Sequence, residues 1–240
     1  MQYQPEVDLA SGAITGMEAM GSGWEVLAAA AAELSTWRAL PHPAMHEPRQ
    51  MWVTATASQL LEVDVVERIG ALIAEHSLDR DCLGLQVGED ILATGGRFAP
   101  VLLADLREAG VALSIAGIGS WYAAMAAMGD LPVEAVKLDR AFVRGAGADL
   151  AQDGIVSAVV DLAHRHNLRV VADAVESWSE GARLCELGCD RAVGYLFSGP
   201  QDAGDARLML THGAGWCAPA QRVSIETHRN TAAYRPTLEG

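Results

Sequence analysis

Lysine is almost absent from this sequence: Lys137 is the only one in 240 residues, and every other fixed side-chain cation is an arginine. Positive charge is scarce altogether, with 17 Lys and Arg against 31 Asp and Glu and a formal net charge of −14. A surface of that sign repels phosphate backbones, and no basic run relieves it, so nucleic-acid binding is disfavoured. The opening residues MQYQPEVDLASG contain neither a basic segment nor an apolar one, so no secretory leader is legible there. No apolar run reaches the roughly 20 residues needed to cross a bilayer, because Glu33 interrupts the alanine-rich stretch near Leu27. A cytoplasmic protein with no membrane or nucleic-acid partner is the expectation.

Other chemistries are missing too. The four cysteines, Cys82, Cys185, Cys189 and Cys217, show no metal-ligand spacing beyond a C-x3-C at Cys185 and Cys189. That pair falls in a helix-like stretch, where the spacing points to packing. His164 and His166 stand two apart near a helix end and so do not share a helix face, and His42 and His46 have no third ligand nearby. No G-x-S-x-G elbow surrounds Ser157 or Ser198, which removes the usual signature of a serine hydrolase.

What the chain does have is alternation. Half of it is hydrophobic. Short β-branched runs lie at Ile14–Ala19, Trp52–Ala57, Leu83–Val87, Ala112–Ala116, Ala135–Leu138, Arg169–Ala174 and Arg191–Leu196. Helical patterns lie between them at Trp24–Ala39, Val65–Glu75, Phe98–Glu108, Ala151–His166 and Ser179–Leu187. In the fourth of these, Ile155, Val159, Leu162 and Ala163 are spaced as one helix face. Repeated strand–helix units predict an α/β fold with a parallel sheet, and seven or eight of them suggest a closed (β/α)8 barrel. A doubly wound open sheet is the alternative, but no Gly-rich phosphate loop follows the first strand. Residues 1–212 are expected to form the barrel, and 213–240, where periodicity fades, a C-terminal tail.

Four blocks carry a resemblance. QPEVDLASGAITGMEAM, LPVEAVKLDRAFV (Leu131–Val143), LRVVADAVES (Leu168–Ser177) and LGCDRAVGYLFSGP (Leu187–Pro200) occur in this order. Together they resemble the bacterial EAL domain, the cyclic-di-GMP phosphodiesterase module, from about Tyr3 to about Leu210. The resemblance implies a TIM-like barrel with an altered first strand, and hydrolysis of one phosphodiester bond by water held on two divalent cations. Such cations neutralise the phosphoryl oxygens and lower the pKa of the bound water. Hard cations want clustered oxygen ligands, which the carboxyl ends of barrel strands supply.

Position by position, the resemblance implies a depleted centre. Glu18 matches the first metal-ligand glutamate. Thr54 stands where the family has an asparagine ligand, and Gln86 where it has a charged one, while Glu89 matches a loop-stabilising glutamate. The family's D-D-F-G-T-G block becomes Ala116-Gly117-Ile118-Gly119-Ser120-Trp121, without side-chain oxygens at the two bridging positions. Lys137 matches the family lysine, Asp173 replaces the general-base glutamate, Glu176 keeps a second acid, and Val193 replaces a glutamine. The phosphate-clamping arginine is replaced within Met20–Trp24, and the loop and helix that follow it in the family are missing, because Trp24 already begins the next helix. Gly199 sits where an arginine is common.

The expectation is therefore a catalytically inactive EAL-like domain without cofactor or metal. Glu18, Glu89 and Asp173 are expected to form an ion-pair cluster around Lys137, with a residual one-metal site as the alternative. A regulatory or protein-interaction role follows, with a protein partner or a homodimer. The apolar stretch containing Trp121, Tyr122 and Met125 is the candidate interface, and core packing is the other reading of those residues. The rivals are a non-hydrolysing cyclic-di-GMP receptor and a weakly active phosphodiesterase.

Overall fold

The computed structural model describes residues 1–38, 50–118, 131–147 and 149–212. Eight strands close a barrel in chain order: β1 (Tyr3–Asp8), β2 (Ile14–Ser22), β3 (Gln50–Ala55), β4 (Leu83–Gly88), β5 (Ala112–Ile118), β6 (Ala135–Leu138), β7 (Arg169–Ala172) and β8 (Arg191–Ala192). Neighbours from β2 to β8 run parallel, whereas β1 is antiparallel to both β2 and β8. The reversal is local. Asp8 Oδ1 accepts the Ser11 N–H at 2.7 Å and its hydroxyl at 2.6 Å, turning the chain so that Ile14 pairs with Val7.

The helices wrap the outside: α1 (Trp24–Arg38), α2 (Ala57–Leu60), α3 (Val65–Glu75), α4 (Asp90–Gly95), α5 (Ala99–Glu108), α6 (Arg140–Val143), α7 (Leu150–Arg165), α8 (Trp178–Glu186) and α9 (Ala203–His212). The α/β alternation read from the sequence is thus a closed barrel, and the open doubly wound sheet is excluded. Two starts are written as capping boxes: Thr56 with Gln59 opens α2, and Ser177 with Glu180 opens α8. The first ends β3 at Ala55 rather than at Ala57.

Two expectations need correcting. Ile155 does not belong to the inner face of α7; it is exposed, and Asp153, Val156, Val159, Val160 and Ala163 are buried instead. The buried Asp153 explains the rotation, since its carboxylate takes the Gly147 N–H and the Arg183 guanidinium at 2.9 Å each. The strand at Arg191 is two residues long and does not reach Leu196. Beyond Ala192 the chain instead clips onto Val175, whose N–H reaches Val193 O and whose O accepts from Leu196 N–H, both at 3.0 Å.

The main core lies between strands and helices, with Leu34, Trp37, Met51, Leu83, Leu103, Val136 and Val170 among its buried members. The barrel interior is filled differently. Trp52 lies across β4, where a Cβ on Gly84 would meet its ring at 2.3 Å, so glycine is required opposite it. Ala135, Val171 and Val193 form a small separate apolar cluster. At the opposite end from the strand C-termini, buried Arg191 pairs with Glu6 at 2.8 Å and meets Gln50 at 3.2 Å, and Gln50 continues to Glu134 and Arg169. Polar groups there satisfy one another, as burial demands.

Candidate functional site

The carboxyl ends of the strands converge on Lys137. Register pairing sets it beside Ala116 of β5 and Val171 of β7, and only 6% of its side chain is exposed. Its Nζ donates to Glu18 Oε2 at 2.7 Å and lies 3.2 Å from Asp173 Oδ1. Glu18 is also largely buried, its side chain 12% exposed, whereas Asp173 is 40% exposed and closes the cluster toward solvent. Burial disfavours the ammonium, but the Glu18 and Asp173 carboxylates overcome that and hold the Lys137 pKa above its ordinary value. Lys137 therefore stays protonated at physiological pH and has no lone pair to offer as a base.

Backbone contacts also fix Asp173. It follows β7 directly, and its N–H donates to Leu138 O at 3.2 Å. The next residue, Ala174, has φ of 55°, a left-handed conformation that costs a residue with a Cβ energy. Val175 is held in turn by Gly194, where any Cβ would lie 2.1 Å from Val175 O. This clamp fixes the loop that carries Asp173 and Glu176.

The remaining predicted positions are scattered around the same mouth. Thr54 Oγ1 and Gln86 Oε1, in register on β3 and β4, stand 3.5 Å apart, the Gln86 side chain buried and Thr54 exposed. Ala116 and Gly117 end β5 and contribute no side-chain oxygen. Val193 is buried in the apolar cluster of the barrel interior. Glu89 does not join Lys137: it occupies the N-cap position of α4, one residue beyond β4, and the charges acting on Lys137 are those of Glu18 and Asp173. Glu176 lies outside as well, in an exposed pair with Arg140 at 2.6 Å. Among the described residues there is no group of three or more His, Cys, Asp or Glu placed to hold a metal ion. Trp121, Tyr122, Met125, His42, His46 and Cys217 lie outside the described residues, as does the tail from 213.

One feature of the region escapes a reading of the sequence. Trp52, the register neighbour of Glu18, fills the barrel beneath the cluster, and its buried Nε1 has no hydrogen-bond partner. A tryptophan opposite a glycine on the next strand is a signal visible only once register is known. The connection after Glu18 is short, as the sequence led us to expect. A single residue, Gly23, separates β2 from α1, so no extra loop or helix stands there. Instead Trp24 donates its indole N–H to Glu62 at 3.0 Å, and Arg68 stacks 3.6 Å over its ring.

No described helix is long and apolar enough to cross a membrane. The EAL domain family matches residues 23–200. The EAL domain of Mycobacterium smegmatis DcpA superposes with a TM-score of 0.80 at 29% identity, covering 88% of this chain and 97% of that one. The MucR phosphodiesterase of Pseudomonas aeruginosa, solved in complex with cyclic-di-GMP, gives a TM-score of 0.77 at 26% identity, covering 85% and 92%. Over 159 residues the chain is 35% identical to the cyclic-di-GMP phosphodiesterase NbdA of the same organism, covering 66% of this chain and 20% of NbdA. It is 30% identical to an uncharacterised protein of Mycobacterium tuberculosis, covering 87% of this chain and 37% of that protein. The chain thus spans between about a fifth and two fifths of these curated relatives. With an antiparallel first strand closing a parallel barrel and the family match running through the mouth, this chain belongs to the EAL domain family.

Proposed function

We propose that this EAL domain acts by binding rather than by hydrolysis, as a catalytically inactive regulatory or protein-interaction module in bacterial signalling. One observation carries the reading: the two carboxylates at the centre of the mouth, Glu18 and Asp173, are both bound to the Lys137 ammonium. A phosphodiester anion needs cationic neutralisation where it reacts, and a pair of divalent cations needs several anionic oxygens to leave water. Ala116, Gly117 and Val193 offer none, Thr54 and Gln86 offer only neutral oxygens, and Glu89 and Glu176 are placed elsewhere. The residues present do not fit a two-cation centre. The mouth also offers little to a phosphate, because Lys137 and Arg140 are both engaged by carboxylates.

Incubation with cyclic-di-GMP in manganese or magnesium, followed by chromatography, tests this reading. The expected yield of linear dinucleotide is no greater than that of Glu18→Ala. Metal-dependent product that Glu18→Ala abolishes would sink the proposal. A thermal-shift titration separates the remaining alternative, since a saturating ligand adds a few kcal/mol of apparent stability. A metal-independent shift would make the domain a cyclic-di-GMP receptor.

A further inference from the structure

The flank formed by α1 and α3 has a shape and charge that the barrel mouth does not use. Between the two helices runs a groove of about 270 Å³, lined by Trp24, Ala28, Arg68, Ala71, Leu72 and Glu75. Its walls are apolar and low, since Ala28 and Ala71 are exposed and project no further than a methyl group. Its upper rim is rigid. Glu62 accepts the Trp24 indole N–H with both oxygens and pairs with Arg68, which lies flat on the same indole. Leu61 and Val63, the chain neighbours of Glu62, are 52% and 102% exposed.

The border of the groove is acidic. Asp64, Glu67 and Glu75 recur along α3 at the spacing of Ala71, and Glu25 precedes Ala28 by three residues on α1. All four carboxylates are exposed, and no cation pairs with any of them among the described residues. The one cation in the groove, Arg68, is neutralised by Glu62. A second copy of this flank would bring like charges together, and a nucleic acid would be repelled.

We infer that the α1–α3 groove docks a cationic amphipathic helix of a partner protein, its apolar stripe against Trp24, Ala28, Ala71 and Leu72 and its lysines or arginines against the bordering carboxylates. A helix laid in a groove between two helices is a recurrent recognition mode, and low walls let its backbone approach closely. The inference rests on the reading that this domain works by binding, and it names the chemistry of the partner.

The probe is a short labelled amphipathic peptide of leucine and lysine, followed by fluorescence anisotropy on the full chain, with a leucine–glutamate peptide as control. The lysine peptide is expected to bind and the glutamate peptide not. Ala71→Trp, which fills the groove from an exposed position, and the double variant Glu67→Lys/Glu75→Lys should each weaken binding about tenfold or more. Asp161→Lys, on the exposed side of α7, should leave it unchanged; each variant's thermal melt shows that it is folded. Equal weakening by Asp161→Lys would reduce the effect to net charge and overturn the inference. Unchanged binding by Ala71→Trp would do the same, as would a fall in oligomeric mass in that variant, which would assign the groove to a second copy. Failure here leaves the turnover assay untouched, so this inference and the reading beneath it fail separately.

Discussion

Replacing Lys137 with methionine keeps the length of the aliphatic stem and deletes the ammonium. Glu18, its side chain 12% exposed and 2.7 Å from Nζ, then faces the barrel interior without a cation. Removing one partner of a buried ion pair costs about 3–5 kcal/mol, because the other charge is left desolvated. The Asp173 contact adds little to this, since that side chain is 40% exposed and screened by water. At about 2–4 °C per kcal/mol for a chain of this size, Lys137→Met should melt roughly 10 °C below the native protein. The double variant Glu18→Gln/Lys137→Met should recover at least about 1 kcal/mol of that loss, because the stranded charge is gone. Urea denaturation of the four members of the cycle measures both numbers. In the native protein the Lys137 contribution should not vary with pH from mildly acidic to mildly alkaline conditions. A lysine whose pKa is raised contributes fully below its ordinary 10.5 and loses that contribution only as pH climbs through the raised value. A Lys137→Met protein within about 1 kcal/mol of native, or a double variant no better than the single, would refute the argument that the ammonium holds these carboxylates.

Gly84→Ala should destabilise by about 1–3 kcal/mol in denaturant titration, since its Cβ would lie 2.3 Å from the Trp52 ring; a Trp52→Leu background should relieve much of that. Ala174→Gly should raise stability by about 0.5–1 kcal/mol, relief of the left-handed φ of 55° outweighing the added freedom of glycine in the unfolded chain. Asp153 is held below the usual carboxylate range, first by the Gly147 N–H and then, against its burial, by Arg183. Its contribution is present above the ordinary carboxylate pKa and is lost as pH falls through the lowered one, so Asp153→Asn should flatten the acid limb of the stability profile.

Much of the architecture was legible in linear order. The boundaries of α3 and of β6 coincide with the patterned runs Val65–Glu75 and Ala135–Leu138, because hydrophobic period and turn residues agree there. The first strand was not a pattern: Tyr3–Asp8 contains Pro5 and is buried on both sides, so alternation gave no signal. The short β8 was overextended because Val193–Leu196 reads as a strand, while the Val193 carbonyl and the Leu196 N–H are both taken by Val175. On α7 the apolar residues pointed to a face through Ile155, and a buried salt-bridged aspartate chose another.

The sequence by itself determined the α/β barrel, the family, the acidity of the surface and the residue types at the mouth, since each of these depends on composition or on local order. Tertiary structure decided which of those residues meet. Glu18 and Lys137 are 119 positions apart and in contact, whereas Glu89, an acid of the same kind, is turned to the start of a helix one residue past its strand. At the α1–α3 groove, likewise, Glu62 meets Trp24 across 38 residues. Contacts of this kind are set by barrel register and closure, and a period along one strand or helix carries no information about either.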